Sequence, residues 1–404
     1  MRMIRVLIMV WVFGGLLATG IAVAAEDAKP VKAKVEVVFC LDTTSSMGGL
    51  IAGAQQKIWS IVNGIVSGKP VPDVKVGLVS FRDRGDAYVT QVVDLTGDLD
   101  SIHEKLFGLK AEGGGDGPES VNQGLADSVN KISWTAKGEK VYRVVFLVGD
   151  APPHMDYPND VKYAETCQNA VKKDIVINTV RCGNETETGT VWQDIANRSE
   201  GKFTTIAQTG GVAVVSTPHD ARLAELSGKL TSSGVFYGSD DARESAKKAV
   251  SRSKSMSDHE MNDSAGIAME ADKAEFRAKM SVAAAAAPSA SSEEMSGMGM
   301  GAEVGRADLL GLFLRDGEDG LKKIKDNEWP EDMKKMSEAD RVNHLKRLLA
   351  ERKAIEEQIA EASKKRSEFI KEEQKKSGSG DSGFDGVVLE MLKEQGAKKG
   401  IEYK

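Results

Sequence analysis

The sequence predicts a doubly wound α/β domain with a mostly parallel sheet, followed by a linker and a mainly α-helical C-terminal region. Three observations lead there. Short apolar runs of strand length alternate with amphipathic stretches from Val35 to about residue 238. Two of those runs, "VEVVFCLD" and "VYRVVFLVGD", are apolar almost throughout, as strands buried on both faces of a sheet must be. Polar residues gather where these runs stop, at Asp42 and Asp150, and in an open sheet ligands bind where the carboxyl ends of neighbouring strands part.

The first elements follow in order. After "VEVVFCLD", the stretch "LIAGAQQKIWSIVNGIV" sets Leu50, Ala54, Ile58, Ile61 and Ile65 at helical spacing. "VKVGLVSF" and "YVTQVVDL" flank the polar turn "RDRGDA" and read as a hairpin-like pair. "SIHEKLFGL" is a short helix, and the Gly-rich loop "EGGGDGPE" leads into a helix whose first turn suits Pro118 and Glu119. "VYRVVFLVGD" is the next strand, which Pro152 and Pro153 prevent from continuing. A helix around residues 160–172, the strand "IVINTVRC", a helix around 191–197, the strand "KFTTIA" and a helix from about 218 to 230 complete a domain spanning 33–238.

Residues 239–304 read as low-complexity linker, charged and Ser-rich at first and then running through "SVAAAAAPSASSEEMSGMGMGAEVG". The region 305–404 carries "DLLGLFL", Trp329 and Pro330, and then Ser337 with Asp340 in a capping arrangement ahead of a long charged helix. Leu345, Leu348, Ile355, Ile359, Ala362 and Phe369 recur there at coiled-coil-like spacing, which permits self-association. Arg352 and Arg366 interrupt that seam, which favours packing within the chain.

Composition narrows the class. The 404 residues are 41% hydrophobic and 28% charged, which suits a chain with a true core rather than a membrane bundle or a disordered polymer. The net charge of -7 gives no overall attraction to nucleic acid or to an anionic membrane. Arg2 and Arg5 precede a long apolar run that closes on Ala22, Val23 and Ala24. Residues 1–25 therefore read as a secretory signal or as an N-terminal membrane anchor, and the rest of the chain is expected outside the cytoplasm, periplasmic or extracellular. Three cysteines, Cys40, Cys167 and Cys182, are too few for a disulfide scaffold; their spacing leaves open whether Cys167 and Cys182 pair.

The chemistry is concentrated at three loops. "DTTSSM" sets Asp42, Thr44 and Ser46 at alternate positions, "GGGDGPE" supplies Asp116, and "LVGDAPPH" supplies Asp150. Carboxylates and hydroxyls in that pattern make an all-oxygen set suited to a hard divalent cation, Mg²⁺ first, with Mn²⁺ or Ca²⁺ as alternatives. Because hydroxyls are neutral, an anionic group from outside completes the charge balance, so the expected partner is a protein presenting an acidic side chain.

These residues resemble the metal-ion-dependent adhesion site of von Willebrand factor type A (vWA) domains. That family's pattern is Asp-x-Ser/Thr-x-Ser, a Thr or Asp on a middle loop, and an Asp closing the fourth strand. The resemblance spans about residues 33–238, and "DTTSSM", "FRDRGD", "GGGDGPES" and "DAPPH" look most like its hemicentin-like and bacterial exported branch. It implies a Rossmann-like sheet with Asp42, Thr44, Ser46 and Asp150 around the ion, directly or through water. Asp116 stands where many such sites have Thr; as a direct ligand it would make the site more negative, tolerate Ca²⁺ better and weaken capture of an acidic partner.

Asp42 followed by hydroxyls also suits a plain helix cap. A phosphohydrolase needs D-x-D-x-T, and position 44 is Thr; with no zinc motif, dinucleotide fingerprint or phosphate loop either, no enzymatic activity is expected. Arg84, Gly85 and Asp86 fit a turn better than a recognition tripeptide, His154 fits a loop, and Met295, Met298 and Met300 fit a linker better than a copper site. A metal-independent scaffold whose helical tail performs assembly remains the alternative from a different class.

Overall fold

A computed structural model describes residues 33–69, 71–115, 117–136, 141–211, 214–286, 307–377 and 383–403. The expected signal segment at 1–25, Asp116 and the three linker methionines lie outside the described residues. Six strands form one sheet in the order β3-β2-β1-β4-β5-β6. They are β1 (Lys34–Asp42), β2 (Asp73–Phe81), β3 (Thr90–Thr96), β4 (Val141–Gly149), β5 (Ile175–Cys182) and β6 (Phe203–Ile206). All neighbours run parallel except β2 and β3, the hairpin-like pair expected from the "RDRGDA" turn.

The strand order places the site. The chain builds outward from β1 to β3, then crosses back and builds outward on the other side from β4 to β6. The reversal falls between β1 and β4, where Leu41 pairs with Val148 and the two strands end at the same level with Asp42 and Gly149. At such a switch point the loops part and leave a crevice.

Both central strands are buried on both faces, and alternation sends their side chains to two different cores. Val35, Val37, Phe39 and Leu41 point to α1 (Gly48–Val66) and α2 (Leu99–Phe107). Val38 and Cys40 point to α3 (Val121–Asn130), α4 (Tyr163–Lys172) and α5 (Thr186–Arg198). After β6 come α6 (Asp220–Ser232), α7 (Asp240–Glu260), α8 (Ser264–Ala286), α9 (Leu309–Leu321), α10 (Glu338–Ser377) and α11 (Phe384–Ala397). Among the described residues, no helix is long and apolar enough to cross a membrane.

Two expectations change. Much of the span read as linker is helical: α7 and α8 occupy residues 240–260 and 264–286, with Ala246, Ala271, Ala274 and Phe276 buried. α8 packs on α6 through Ala271, Ala274 and Ala278, which allow close approach but give little hydrophobic periodicity, and shares the α1 core through Met269, Phe276 and Met280. Charged residues at its buried positions, Glu270, Lys273 and Arg277, hide the pattern further. The α/β unit also does not close at Gly238. α11 returns to the sheet, setting Phe384 6.2 Å from Phe39 between ring centroids, with Val388 and Leu392 in the same core. Its Gln395 accepts from Tyr142 (2.5 Å) and Asn178 (2.8 Å) and donates back to Asn178 (2.8 Å), so all three buried polar groups are matched.

The long charged helix forms as α10, and Asp340 N–H donates to Ser337 Oγ at its start. Its seam arginines face the chain itself. Arg352 donates to both oxygens of Asp308 at 2.6 and 3.2 Å. Arg366 donates to Asp220 and to Asp272, each at 2.6 Å. The three cysteines are free and buried; Cys167 and Cys182 do not pair. Burial pushes the Cys40 and Cys167 thiols up to about 12, which leaves them unreactive core residues.

Candidate functional site

β1 ends in Asp42, which is fully buried. The chain then turns sharply, because Asp42 Oδ1 accepts from both Thr44 N–H (2.9 Å) and Thr44 Oγ (2.7 Å), a side chain closing a turn of its own backbone. A single 3-10 turn, Ser45–Met47, leads into α1. It brings Ser46 Oγ to 3.4 Å from Thr44 Oγ1 and lets Ser46 donate to Asp150 Oδ1 at 3.1 Å. Asp42, Thr44, Ser46 and Asp150 thus form one linked run of oxygens drawn from two strand ends. The set grades from buried Asp42 and Thr44 to exposed Ser46.

The second Asp42 oxygen is the informative one. Oδ2 is buried and has no hydrogen-bond partner, whereas buried polar atoms are nearly always matched. Burial pushes this carboxyl up to about 7; the Thr44 hydrogen bonds oppose the rise, the nearby charge of Asp150 adds to it, and the Asp150 backbone N–H opposes it. Gly149 makes the approach possible, since a Cβ there would meet Asp42 Oδ2 at 3.1 Å and the Trp192 ring at 3.0 Å.

The middle loop is tied to the same place. Ser45 N–H and Oγ donate to Gly113 O at 3.2 and 2.7 Å, and Glu112 N–H donates to Thr43 O at 3.1 Å. Gly114 stands at φ +80°, where a side chain would be strained, and its N–H donates to Asp86 Oδ2 at 3.0 Å. Asp86 also accepts from Asp83 N–H at 3.1 Å, so the Arg84–Gly85–Asp86 tripeptide is a turn whose acid pins the middle loop. Asp116 follows this loop and lies outside the described residues.

Two residues of the neighbourhood were not found from the sequence. Gln208, in the loop after β6, donates to Asp150 Oδ2 at 2.5 Å and to Ser46 O at 3.2 Å. Only its place beyond a strand end could have flagged it. Glu119 was expected in a first helical turn, but α3 begins at Val121. Glu119 instead bridges Pro153, with its N–H on Pro152 O (2.9 Å) and its carbonyl accepting from His154 N–H (3.0 Å). His154 itself stacks on Tyr157 at 4.1 Å, with Nδ1 2.8 Å from Asp156 and Nε2 3.4 Å from Asp83, as befits a loop residue.

The donor set fits a hard divalent cation: two carboxylates and two hydroxyls, all oxygen, one carboxylate oxygen without a proton donor. Among the described residues no three His, Cys, Asp or Glu side chains converge as a metal site. A site here therefore depends on its hydroxyls.

Residues 36–219 match a family model described as von Willebrand factor A domain. A curated relative, a putative ariadne-like RING finger protein of Acanthamoeba polyphaga mimivirus, is 25% identical over 123 residues, which is 30% of this chain and only 12% of that protein. Three solved structures each align with 44% of this chain. They are an aerotolerance-related membrane protein of Bacteroides fragilis (15% identity, 92% of that chain, TM-score 0.29), the VWA domain of SpRpn10 (14%, 89%, 0.33) and proximal thread matrix protein 1 of the mussel byssus (17%, 42%, 0.30).

Proposed function

The chain carries a von Willebrand factor A domain over residues 36–219, and from that premise we propose that it is an exported, metal-dependent protein-binding module. Domains of this family are generally protein-interaction modules, mostly without enzymatic activity, and often bind a divalent cation. In this reading Asp42, Thr44, Ser46 and Asp150 hold Mg²⁺, with Mn²⁺ or Ca²⁺ as alternatives, and Asp116 joins them from the middle loop. When bound, the ion supplies a positive charge at the end of the sheet, to which a partner's acidic side chain adds the missing anion.

The observation that carries the reading is Asp42 Oδ2, buried and without a donor beside a run of hydroxyls and a second carboxylate. The chain's own groups suit the task. Ser46 Oγ donates to Asp150 here, and rotation of its O–H turns the same atom into an acceptor-only face. Gln208 holds Asp150 from the β6 side and fixes its direction. Residues 1–25 carry the export signal or the anchor in this proposal. The tail braces the domain, since Arg352 and Arg366 direct their charges inward.

Thermal melting of the full chain in EDTA and in millimolar Mg²⁺ or Ca²⁺ tests the site. A site filled at 100 times its Kd should add about 2.7 kcal/mol of stability, and Asp42→Ala should abolish that gain. Capture of an acidic peptide in Mg²⁺ but not in EDTA tests the partner. Identical melting with and without ions, together with intact metal uptake by Asp42→Ala, would overturn the assignment.

A further inference from the structure

We propose that the end of the domain opposite the candidate site is a docking surface for an anionic lipid bilayer, formed by lysines that two helices bring together at the foot of the sheet. It is independent of the metal-binding reading, which concerns the other end.

The topology sets the two ends apart. β1, β2, β4, β5 and β6 run parallel, so all of them start at the foot and finish at the site. A helix that leads from one such strand to the next returns to the foot, where a cation suits the negative end of its dipole. α4 ends in Lys172, and Lys173 and Asp174 follow directly before β5. α11 starts beside the Gln208 loop, where Phe384 N–H donates to Gly210 O (3.0 Å), and runs down to Lys398 and Lys399.

The two lysine pairs meet at one carboxylate. Lys399 Nζ lies 3.0 Å from both oxygens of Asp174, and Arg143 reaches the same group at 3.4 Å. Lys172, Lys173 and Lys398 are exposed. Lys173 Nζ donates to the neutral Val129 O and Asn130 Oδ1, each at 2.9 Å, and Glu394, one turn back from Lys398, pairs with Lys202. Four lysines about Asp174 therefore make a positive patch on a chain whose net charge is -7. The site end has the opposite sign, since Asp86, Glu112, Asp150 and Asp156 lie in its loops while Arg82 and Arg84 are paired with Glu112 and Asp160.

The chain also enters the domain at the foot. Ala33 O, just before β1, accepts from Asp73 N–H (2.8 Å) at the start of β2. Residues 1–32, with the apolar run read above as signal or anchor, thus join on this side. An anionic leaflet is the partner that a positive foot and an apolar N-terminal run address together, and docking there leaves the acidic end facing solvent. Each lysine held near such a leaflet strengthens binding about fivefold, an effect that salt screens.

Co-sedimentation of the full chain with vesicles tests this. Phosphatidylcholine vesicles measure binding through the apolar run, and an equimolar mixture with phosphatidylglycerol adds the charge-dependent part. The mixture should bind more tightly at low salt and lose that gain at high salt. Replacing Lys172, Lys173, Lys398 and Lys399 by glutamine should weaken binding to the mixture at least about 25-fold, the worth of two such lysines, and leave binding to phosphatidylcholine unchanged. Replacing Lys346, Lys353, Lys364 and Lys371, exposed along α10, changes the net charge equally and should keep the gain. If the first variant fails to fold by circular dichroism, Lys172→Gln with Lys398→Gln carries the same comparison. An equal loss in both sets, a first variant that binds like the unsubstituted chain, or a mixture that binds no better than phosphatidylcholine would each overturn the proposal and leave the metal site untouched.

Discussion

Asp42 and Asp100 are the same residue type in two buried places, and the folded chain treats them in opposite ways. Asp100 lies where α2 meets α8. Burial works to raise its carboxyl, yet Arg277 at 3.0 Å and Lys273 at 3.2 Å hold it well below the usual carboxylate range. Asp42, at the end of β1, is pushed up to about 7 by burial, and the rise is opposed only in part by the Thr44 hydrogen bonds. The helical region repeats the pairing, with Arg352 facing Asp308 and Arg366 facing Asp220 and Asp272, although burial still raises the Asp272 carboxyl against the pull of Arg366. A buried acid with an internal cation fastens two elements together, and one without either keeps its proton or has its charge matched from outside the chain.

The comparison breaks most visibly at Arg366. Replacing it with alanine leaves Asp220 and Asp272 in the interior without their cation, and removing one member of a buried pair costs about 3–5 kcal/mol. Urea denaturation of Arg366→Ala should show that loss. A cost below about 1 kcal/mol, the scale of an exposed pair, would mean that the seam is wet and that the contrast with Asp42 has no basis.

At Asp42 the sign reverses. Asparagine keeps the size and the acceptor for Thr44 but removes a buried charge, so in EDTA Asp42→Asn should be more stable than the unsubstituted chain, by on the order of 2 kcal/mol. Adding Mg²⁺ should stabilise the unsubstituted chain and leave the variant unmoved. A variant that melts lower in EDTA would show that the Asp42 charge is already balanced from within the chain.

The contrast also marks what could be read in the sequence. "VEVVFCLD" and "VYRVVFLVGD" announced central strands because burial on both faces leaves no polar position. Asp42, Thr44, Ser46 and Asp150 were legible because strand ends at a switch point fall together whatever the loops do. Arg352 and Arg366 betrayed intrachain packing by standing on an otherwise apolar seam. What escaped depends on distant partners. Gln208 matters only because β6 lies beside β5, and Glu119 was drawn into a helix by Pro118 when its real attachment is to Pro153. α8 looked like linker because alanines and paired charges lie between its few large apolar residues, Met269, Phe276 and Met280. α11 belongs to a sheet that precedes it by some 180 residues, from β6 at Phe203–Ile206 to Phe384, a separation no local pattern reports.

The smallest effect sharpens the comparison from within the paired region, where one acid is only partly matched. Glu260 at the end of α7 stands 3.5 Å from His103 Nδ1, and His103 Nε2 lies 3.3 Å from the sulfur of Met269. A thioether only accepts, so the ring proton belongs on Nε2, and Nδ1 is left as an acceptor that faces the Glu260 carboxyl. Asp100, Glu270, Lys273 and Arg277 already balance one another nearby, which leaves no charge to match an ionised Glu260. Burial pushes Glu260 up to about 7 and, with Lys273 adding, His103 down to about 3. The folded Glu260 therefore binds its proton more tightly than the unfolded one, and its share of stability is lost as the pH rises through about 7. His103 acts in the other direction, and its share is lost as the pH falls from about 6.5 toward 3. Between about 4.5 and 6.5 each state holds one proton on the pair, on Glu260 when folded and on His103 when unfolded, and the two slopes cancel. Through this pair the stability of the unsubstituted chain, from urea denaturation across pH 5–9, should be level up to about 6.5 and then fall by about 1 kcal/mol. Subtracting Glu260→Gln, which keeps His103, isolates Glu260, and that difference should slope toward the variant from pH 5, by about 1.4 kcal/mol per pH unit, and level off above about 7. A difference that stays flat through pH 7 would place a full countercharge on Glu260 and return this corner of the helical region to the fully matched class of Asp100.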